Sequence, residues 1–205
     1  MGILKLQNFL KTKKAQIYTW LLRGDAGHIG KNCSVYPPFN SGNIENVFIG
    51  DNVYINPGGW IQTIRKYGQD EFDAELRIGD GTYIGNRCHI IACGKMTIGK
   101  DVTIADNVYI TDNLHGFDDM SCGVMPQPLK VPGPVVIEDE VWLGERVCIM
   151  PNVTIGRHSV IGANSVVTKN IPPYSIAVGI PARIIKQYNY ETKQWNTCKK
   201  GALMI

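Results

Sequence analysis

Ile98-Gly99-Lys100-Asp101-Val102-Thr103 runs directly into Ile104-Ala105-Asp106-Asn107-Val108-Tyr109 and then Ile110. A branched aliphatic opens each unit, a turn-prone run of Gly, Asp or Asn follows, and a small or β-branched residue holds the fifth place. The same spacing links Ile78, Ile84 and Ile90, and later Ile137, Leu143, Ile149, Ile155, Ile161 and Val167. A period of six belongs neither to a helix nor to an ordinary strand, and it marks a repeat. Each unit reads as one short strand plus one sharp corner, made from residues that tolerate left-handed dihedrals. Three corners close a triangular coil, and stacked coils place the opening aliphatics in rows inside a prism. Burial of each such side chain contributes roughly 1.5–3 kcal/mol, so no coil is stable without its neighbours.

The repeat is clean from Ile78 to Val167, readable from Ile49 to Ile61, and faint at Ile29 and Val35. Two spacers interrupt it. One runs from Gln62 to Arg77 and carries Arg65, Lys66 and Tyr67; the other lies between His115 and Ile137 and contains Pro126, Pro128, Pro132 and Pro134. Between Ile90 and Ile98 the register slips by two residues, which reads as an enlarged corner. Loops extruded from a regular solenoid are where function is usually carried.

At 205 residues, 44% hydrophobic and 19% charged, the chain has the composition of an ordinary soluble domain. Its formal charge of +3, without clustered basic and aromatic residues, argues against nucleic acid as a partner. No apolar run is long enough for a membrane span and no signal-peptide pattern opens the chain, so the expected location is cytoplasmic. Cys33, Cys88, Cys93, Cys122, Cys148 and Cys198 lack metal-type spacing and read as reduced, mostly structural thiols. Residues 3–22 predict a helix with Leu6, Phe9, Leu10, Ile17, Trp20 and Leu21 on or near one face. That face is expected to pack against the prism or a neighbouring copy in preference to a membrane surface, which stays open as an alternative partner. A second helix is expected from Arg183 to about Trp195.

The hexads, together with Val141-Trp142-Leu143-Gly144, the run Ile161-Gly162-Ala163-Asn164-Ser165-Val166-Val167-Thr168-Lys169-Asn170-Ile171-Pro172-Pro173, and Gly179-Ile180-Pro181-Ala182-Arg183, resemble the hexapeptide-repeat acyltransferases. Within that group the chain is similar to sugar and surface-polysaccharide O-acetyltransferases. The resemblance implies a left-handed parallel β-helix, which with the short N- and C-terminal helices and the extruded loop read from the residues makes the expected architecture all-β. The resemblance spans about Ile29 to Lys186, and with the helices read from the residues the chain divides into a helical segment at 1–25, the β-helix at 26–181, and a C-terminal helix and tail at 182–205. It further implies a homotrimer with acetyl-CoA as cosubstrate in a groove between neighbouring prisms. Flat prism sides carrying Val108, Tyr109, Trp142 and Val160 supply a separate motive for covering them.

Acetyl transfer from a thioester to a sugar hydroxyl needs a base, and no metal. His115 closes the unit that begins at Ile110, where the repeat gives way to the long spacer, and it matches the family's catalytic histidine. Asp112, Asp118 and Asp119 are candidates to orient its ring. The resemblance places coenzyme A along Trp142, Gly144, Ala163 and Thr168, with Lys169, Arg183 and Lys186 toward its phosphates. For the sugar or glycan acceptor, the family's asparagine position falls on Gly85, a departure that leaves Asn86, Arg87, His89 and Asp112 as the candidates. It also makes a lipid-linked or polymeric sugar the better expectation. An amino-group acceptor, a non-catalytic scaffold, and a zinc enzyme built on His89, His115 and His158 are the competing readings. The last lacks a close pair of imidazoles.

Overall fold

The computed structural model describes residues 2–198. One helix, α1 (Ile3–Leu22), precedes a stack of short strands arranged as three predominantly parallel sheets, the sides of a triangular prism. Side 1 contains strands from His28–Ile29 through Val47–Ile49, Glu75–Ile78, Lys95–Ile98 and Val135–Ile137 to Thr154–Ile155. Side 2 runs from Ser34–Val35 through Tyr83–Ile84, Thr103–Ile104 and Trp142–Leu143 to Ser175–Gly179, and side 3 from Phe39–Asn40 through Gly59–Thr63, His89–Ala92 and Tyr109–Thr111 to Val166–Val167. The chain visits the sides in that order, so every coil stacks in register on the last, as in Ile84 against Ile104 and Ile104 against Leu143.

The opening aliphatics of the hexads form the interior rows. Ile49, Ile78, Ile98, Ile137 and Ile155 line side 1, and Ile55, Ile84, Ile104, Leu143 and Ile161 line side 2, all buried. The fifth-place residues, among them Cys33, Cys88, Val102, Val108 and Val147, fill the inner angles of the corners. Val108, expected on an outer side, is therefore inside; Tyr109 and Val160 are half-buried and Trp142 is exposed on the sides. The fourth residue of many units takes a positive φ, as at Asn52, Arg87, Asp101, Asn107 and Asn164, which explains the recurrence of Asn and Asp there. Second-place glycines answer a different demand: a Cβ on Gly79 would stand 2.5 Å from the carbonyl carbon of Gly99 in the next coil.

Both ends differ from expectation. α1 forms over the predicted residues, but it packs through Ala15, Tyr18, Thr19 and Leu22, while Leu6, Phe9, Leu10, Ile17, Trp20 and Leu21 face outward. Thr19 Oγ1 accepts the Val35 amide (2.8 Å), Tyr18 Oη donates to the Phe39 carbonyl (3.3 Å), and Arg23 donates to the Gly30 carbonyl (2.7 Å). These bonds satisfy the open edge of the first coil. At the other end, the expected helix over 183–195 is instead a hairpin of strands Ala182–Asn189 and Gln194–Thr197, added antiparallel to Ser175–Gly179. The last parallel strand presents an unpaired edge, and Ile184, Ile185 and Tyr188 suit a strand, so pairing prevails over helix propensity. The tail at 199–205 lies outside the described residues.

Candidate active site

Both spacers leave the prism at the same corner, where side 3 turns into side 1. The first builds a small hairpin, Lys66–Tyr67 against Asp70–Glu71. The second begins with Leu114–His115, which pairs antiparallel with Leu129–Lys130, so His115 is presented by a short ribbon at the root of the loop. The enlarged corner at Cys93 and Gly94 stacks directly beneath. Its two amides donate to the Asp112 carboxylate at 2.7 and 2.8 Å, and Asn113 Nδ2 donates to it at 3.1 Å. Asp112 is fully buried, so it braces the corner and offers no surface to an acceptor.

The two extruded segments meet at His115. Tyr67 Oη lies 3.3 Å from His115 Nδ1 and donates to the Met125 carbonyl at 2.5 Å. A phenol has one proton. With that proton committed to Met125, the oxygen is left to accept from Nδ1–H, an arrangement that in the neutral ring leaves the lone pair on Nε2. The ring is exposed and edge-on to Tyr67, with centroids 5.5 Å apart. None of the three candidate carboxylates performs this role. Asp118 pairs with Lys130, and Asp119 accepts the Ser121 amide and hydroxyl, which holds its pKa below the ordinary carboxylate value. Tyr67 was visible in the sequence only as part of a polar spacer, with no spacing signal to connect it to a histidine in another loop.

The remaining candidates divide among three places. Thr168 and Lys169 sit on the His115 corner, two strands further along the stack, roughly 10 Å at the usual interstrand spacing. There they line an open groove of ≈ 700 Å³ with Asn152, Thr154, Asn170 and Pro172. Gly144 and Ala163 lie on the next corner, between sides 2 and 3, with Asn86 and Arg87. Gly144 has a structural reason to lack a side chain, since a Cβ would come within 2.7 Å of the Ala163 amide nitrogen. Asn86 is bonded to the Asp106 carboxylate (3.0 Å) and Arg87 to Asn107 (2.9 Å), both ties between coils. Trp142 projects from side 2, and Arg183 and Lys186 are exposed on the strand that extends that side. No single corner holds the whole expected coenzyme set.

His89 lies on side 3, stacked on Trp60 (centroids 4.5 Å apart) and edge-on to Tyr109 (5.3 Å). Its Nε2 is enclosed without a hydrogen-bond partner, and burial pushes its pKa below the ordinary imidazole value. His158 bonds to Glu140 at 3.0 Å, far from the loops. The histidines thus do not converge, and among the described residues no group of three His, Cys, Asp or Glu side chains is placed to hold a metal ion.

Residues 75–112 match the family described as the hexapeptide repeat of succinyl-transferase, and residues 134–169 match bacterial transferase hexapeptide (six repeats). The putative lipopolysaccharide biosynthesis O-acetyl transferase WbbJ of Escherichia coli (strain K12) is 43% identical over 122 residues, 57% of this chain; the match spans 62% of that relative's length. An acetyltransferase of Vibrio cholerae solved with acetyl coenzyme A is 30% identical, with a TM-score of 0.51 over 84% of this chain and 76% of that one. AntD, an N-acyltransferase of Bacillus cereus solved with dTDP-4-amino-4,6-dideoxyglucose and coenzyme A, shares the fold, with a TM-score of 0.69 at 21% identity over 85% of this chain and 91% of its own. The hexads, their stacking into a three-sided prism and these matches together place the chain in the hexapeptide-repeat acyltransferase family.

Proposed function

We propose that this protein transfers an acetyl group from acetyl-CoA to a hydroxyl of a sugar or surface-polysaccharide precursor, with His115 as the general base. The observation that carries this reading is the Tyr67–His115 pair. It anchors an exposed imidazole through Nδ1 and leaves Nε2 clear of the anchor, on the corner that also carries the Lys169 groove. In the proposed step Nε2 takes the acceptor proton as the hydroxyl oxygen attacks the thioester carbonyl. The tetrahedral intermediate collapses by breaking the carbon–sulfur bond, and the imidazolium returns the proton to the departing thiolate. Backbone amides are the expected donors to the oxyanion.

The coils are read as left-handed and the assembly as a homotrimer in the cytoplasm. A trimer accounts for the split of the coenzyme residues between corners. Thr168 and Lys169 of one copy would face Trp142, Gly144 and Ala163 of the next, with Arg183 and Lys186 toward the phosphates. Asn86, Arg87 and the Trp60–His89 stack would then border the acceptor side. A hydroxyl acceptor is favoured over an amine because WbbJ, the 43% identical relative, is described as an O-acetyl transferase.

The test is coenzyme A release from acetyl-CoA by wild type and His115→Ala across free, amino and nucleotide-linked sugars and lipid-linked glycans. Acceptor-dependent release that is lost in the variant is the expected result. Equal release by the two proteins would remove His115 from the mechanism, and release with amino sugars alone would move the reading to N-acetylation. If acetyl-CoA does not bind, the scaffold reading replaces transfer.

A further inference from the structure

α1 carries two apolar stripes, and the prism uses only one. Ala15, Tyr18, Thr19 and Leu22, spaced i, i+3, i+4 and i+7, pack on the first coil. The opposite stripe, Leu6, Phe9, Leu10, Lys13, Ile17, Trp20 and Leu21, has the same helical spacing, and its apolar members are 42–68% exposed. Residues 2–14 are exposed throughout, and apart from the Lys11 ammonium, 5.3 Å from the Tyr36 ring centroid, the first three turns are not packed on the prism. A helix of that length is marginal in water by itself, and something must support it.

The charge on the segment selects what that is. Of its cations Lys5, Lys11, Lys13, Lys14 and Arg23, Arg23 is turned to the Ile29 and Gly30 carbonyls and Lys11 to the Tyr36 ring, which leaves Lys5, Lys13 and Lys14 to solvent; no acidic residue occurs before Asp25. We propose that the outward face of α1 docks onto an anionic lipid bilayer, with the helix lying in the plane of the membrane surface. Lys13 decides between this partner and a second copy of the chain. It sits within the apolar stripe, its ammonium 5.7 Å from the Phe9 ring. Against a packed protein face that charge would be desolvated and would meet the same cations on the other copy. At a bilayer its stem lies along the hydrocarbon boundary while the ammonium reaches lipid phosphates, and Phe9 and Trp20 enter the interface. α1 is not a span, since no described helix is long and apolar enough to cross a membrane. If the acceptor is a lipid-linked glycan, docking brings the chain to it.

The experiment is flotation of the full chain with vesicles of phosphatidylcholine alone or with about one third phosphatidylglycerol. Wild type is expected to float with the anionic vesicles only, and to be released as salt is raised. Phe9→Ser/Trp20→Ser, whose side chains do not touch the prism, is expected to bind at least about tenfold more weakly with an unchanged β spectrum. Lys5→Glu/Lys13→Glu, which keeps the apolar stripe, is expected to lose the preference for anionic lipid. Wild type that stays unbound to anionic vesicles, or flotation unchanged in both variants, overturns the proposal. Vesicle binding absent while Phe9→Ser/Trp20→Ser reduces the oligomer in sedimentation would assign the face to a neighbouring copy instead.

Discussion

Tyr67 and His115 are 48 residues apart in sequence and 3.3 Å apart between phenol oxygen and Nδ1. The contact joins the two extruded segments and assigns opposite tasks to the two ring nitrogens. Replacing Tyr67 by Phe removes the acceptor for Nδ1–H and frees the ring to exchange tautomers. One net hydrogen bond, about 0.5–1.5 kcal/mol, corresponds to a fall in kcat of roughly 2–12-fold. His115→Ala should cost about 10²–10⁴-fold. Imidazole nitrogen shifts by NMR read the tautomer without any acceptor. An Nε2–H tautomer in wild type would contradict the assignment.

Lys169 shares the His115 corner, whereas Arg183 lies on the strand that extends side 2. Lys169→Glu is expected to raise KM for acetyl-CoA by about tenfold with kcat little changed, the pattern of lost ground-state binding. Arg183→Glu should do the same only in the assembled oligomer. Steady-state kinetics beside sedimentation will show whether the two effects separate on dilution.

The thiols should divide by burial. Cys88 is pushed up to about 11 and Cys93 to about 12, chiefly by burial, with the Asp112 carboxylate adding to the effect at Cys93. Cys122 is exposed in the long loop. Under native conditions a thiol reagent at neutral pH should modify Cys122 first and leave Cys33, Cys88 and Cys93 unmodified until denaturant is added. Mass spectrometry of the labelled peptides checks the order.

Glu140 is held down at about 2 by its bonds to Arg157 and then His158. Its folded value lies below the ordinary carboxylate value of 4.5, so its stabilising contribution is complete above that pH. It declines as the unfolded chain takes up the proton and is gone once pH falls through about 2. Glu140→Gln should therefore lower Tm slightly at neutral pH, the cluster being at the surface, and the difference should close on acidification through that window.

Ile104 is fully buried in the middle of the side 2 row. Ile104→Ala should cost about 2–5 kcal/mol in urea unfolding, because neighbouring coils are pinned by their own hydrogen bonds and cannot close the cavity. A loss below about 1 kcal/mol would mean that the stack relaxes more freely than its registers indicate.

The prism was legible because its repeat is written into nearest neighbours. Ile84, Ile104 and Leu143 hold the first place of their units, and each first place is an interior place. The C-terminal segment was not: Ile184, Ile185 and Tyr188 read as part of a helix until the open edge of the preceding strand is known. Asp112 looked like a free carboxylate near a histidine, and only the enlarged corner below it reveals the two amides that occupy it.

The sequence by itself determined the hexad, the rows of aliphatics, the left-handed corner residues and the extent of α1, since each depends on residue type at a short, regular spacing. The tertiary structure decided which corner each candidate occupies, because two insertions and one register slip must be closed before the coils can be counted around the prism. It also paired Tyr67 with His115 and turned the Trp20 stripe of α1 outward. Those outcomes depend on packing between segments far apart in the chain, and no local spacing encodes them.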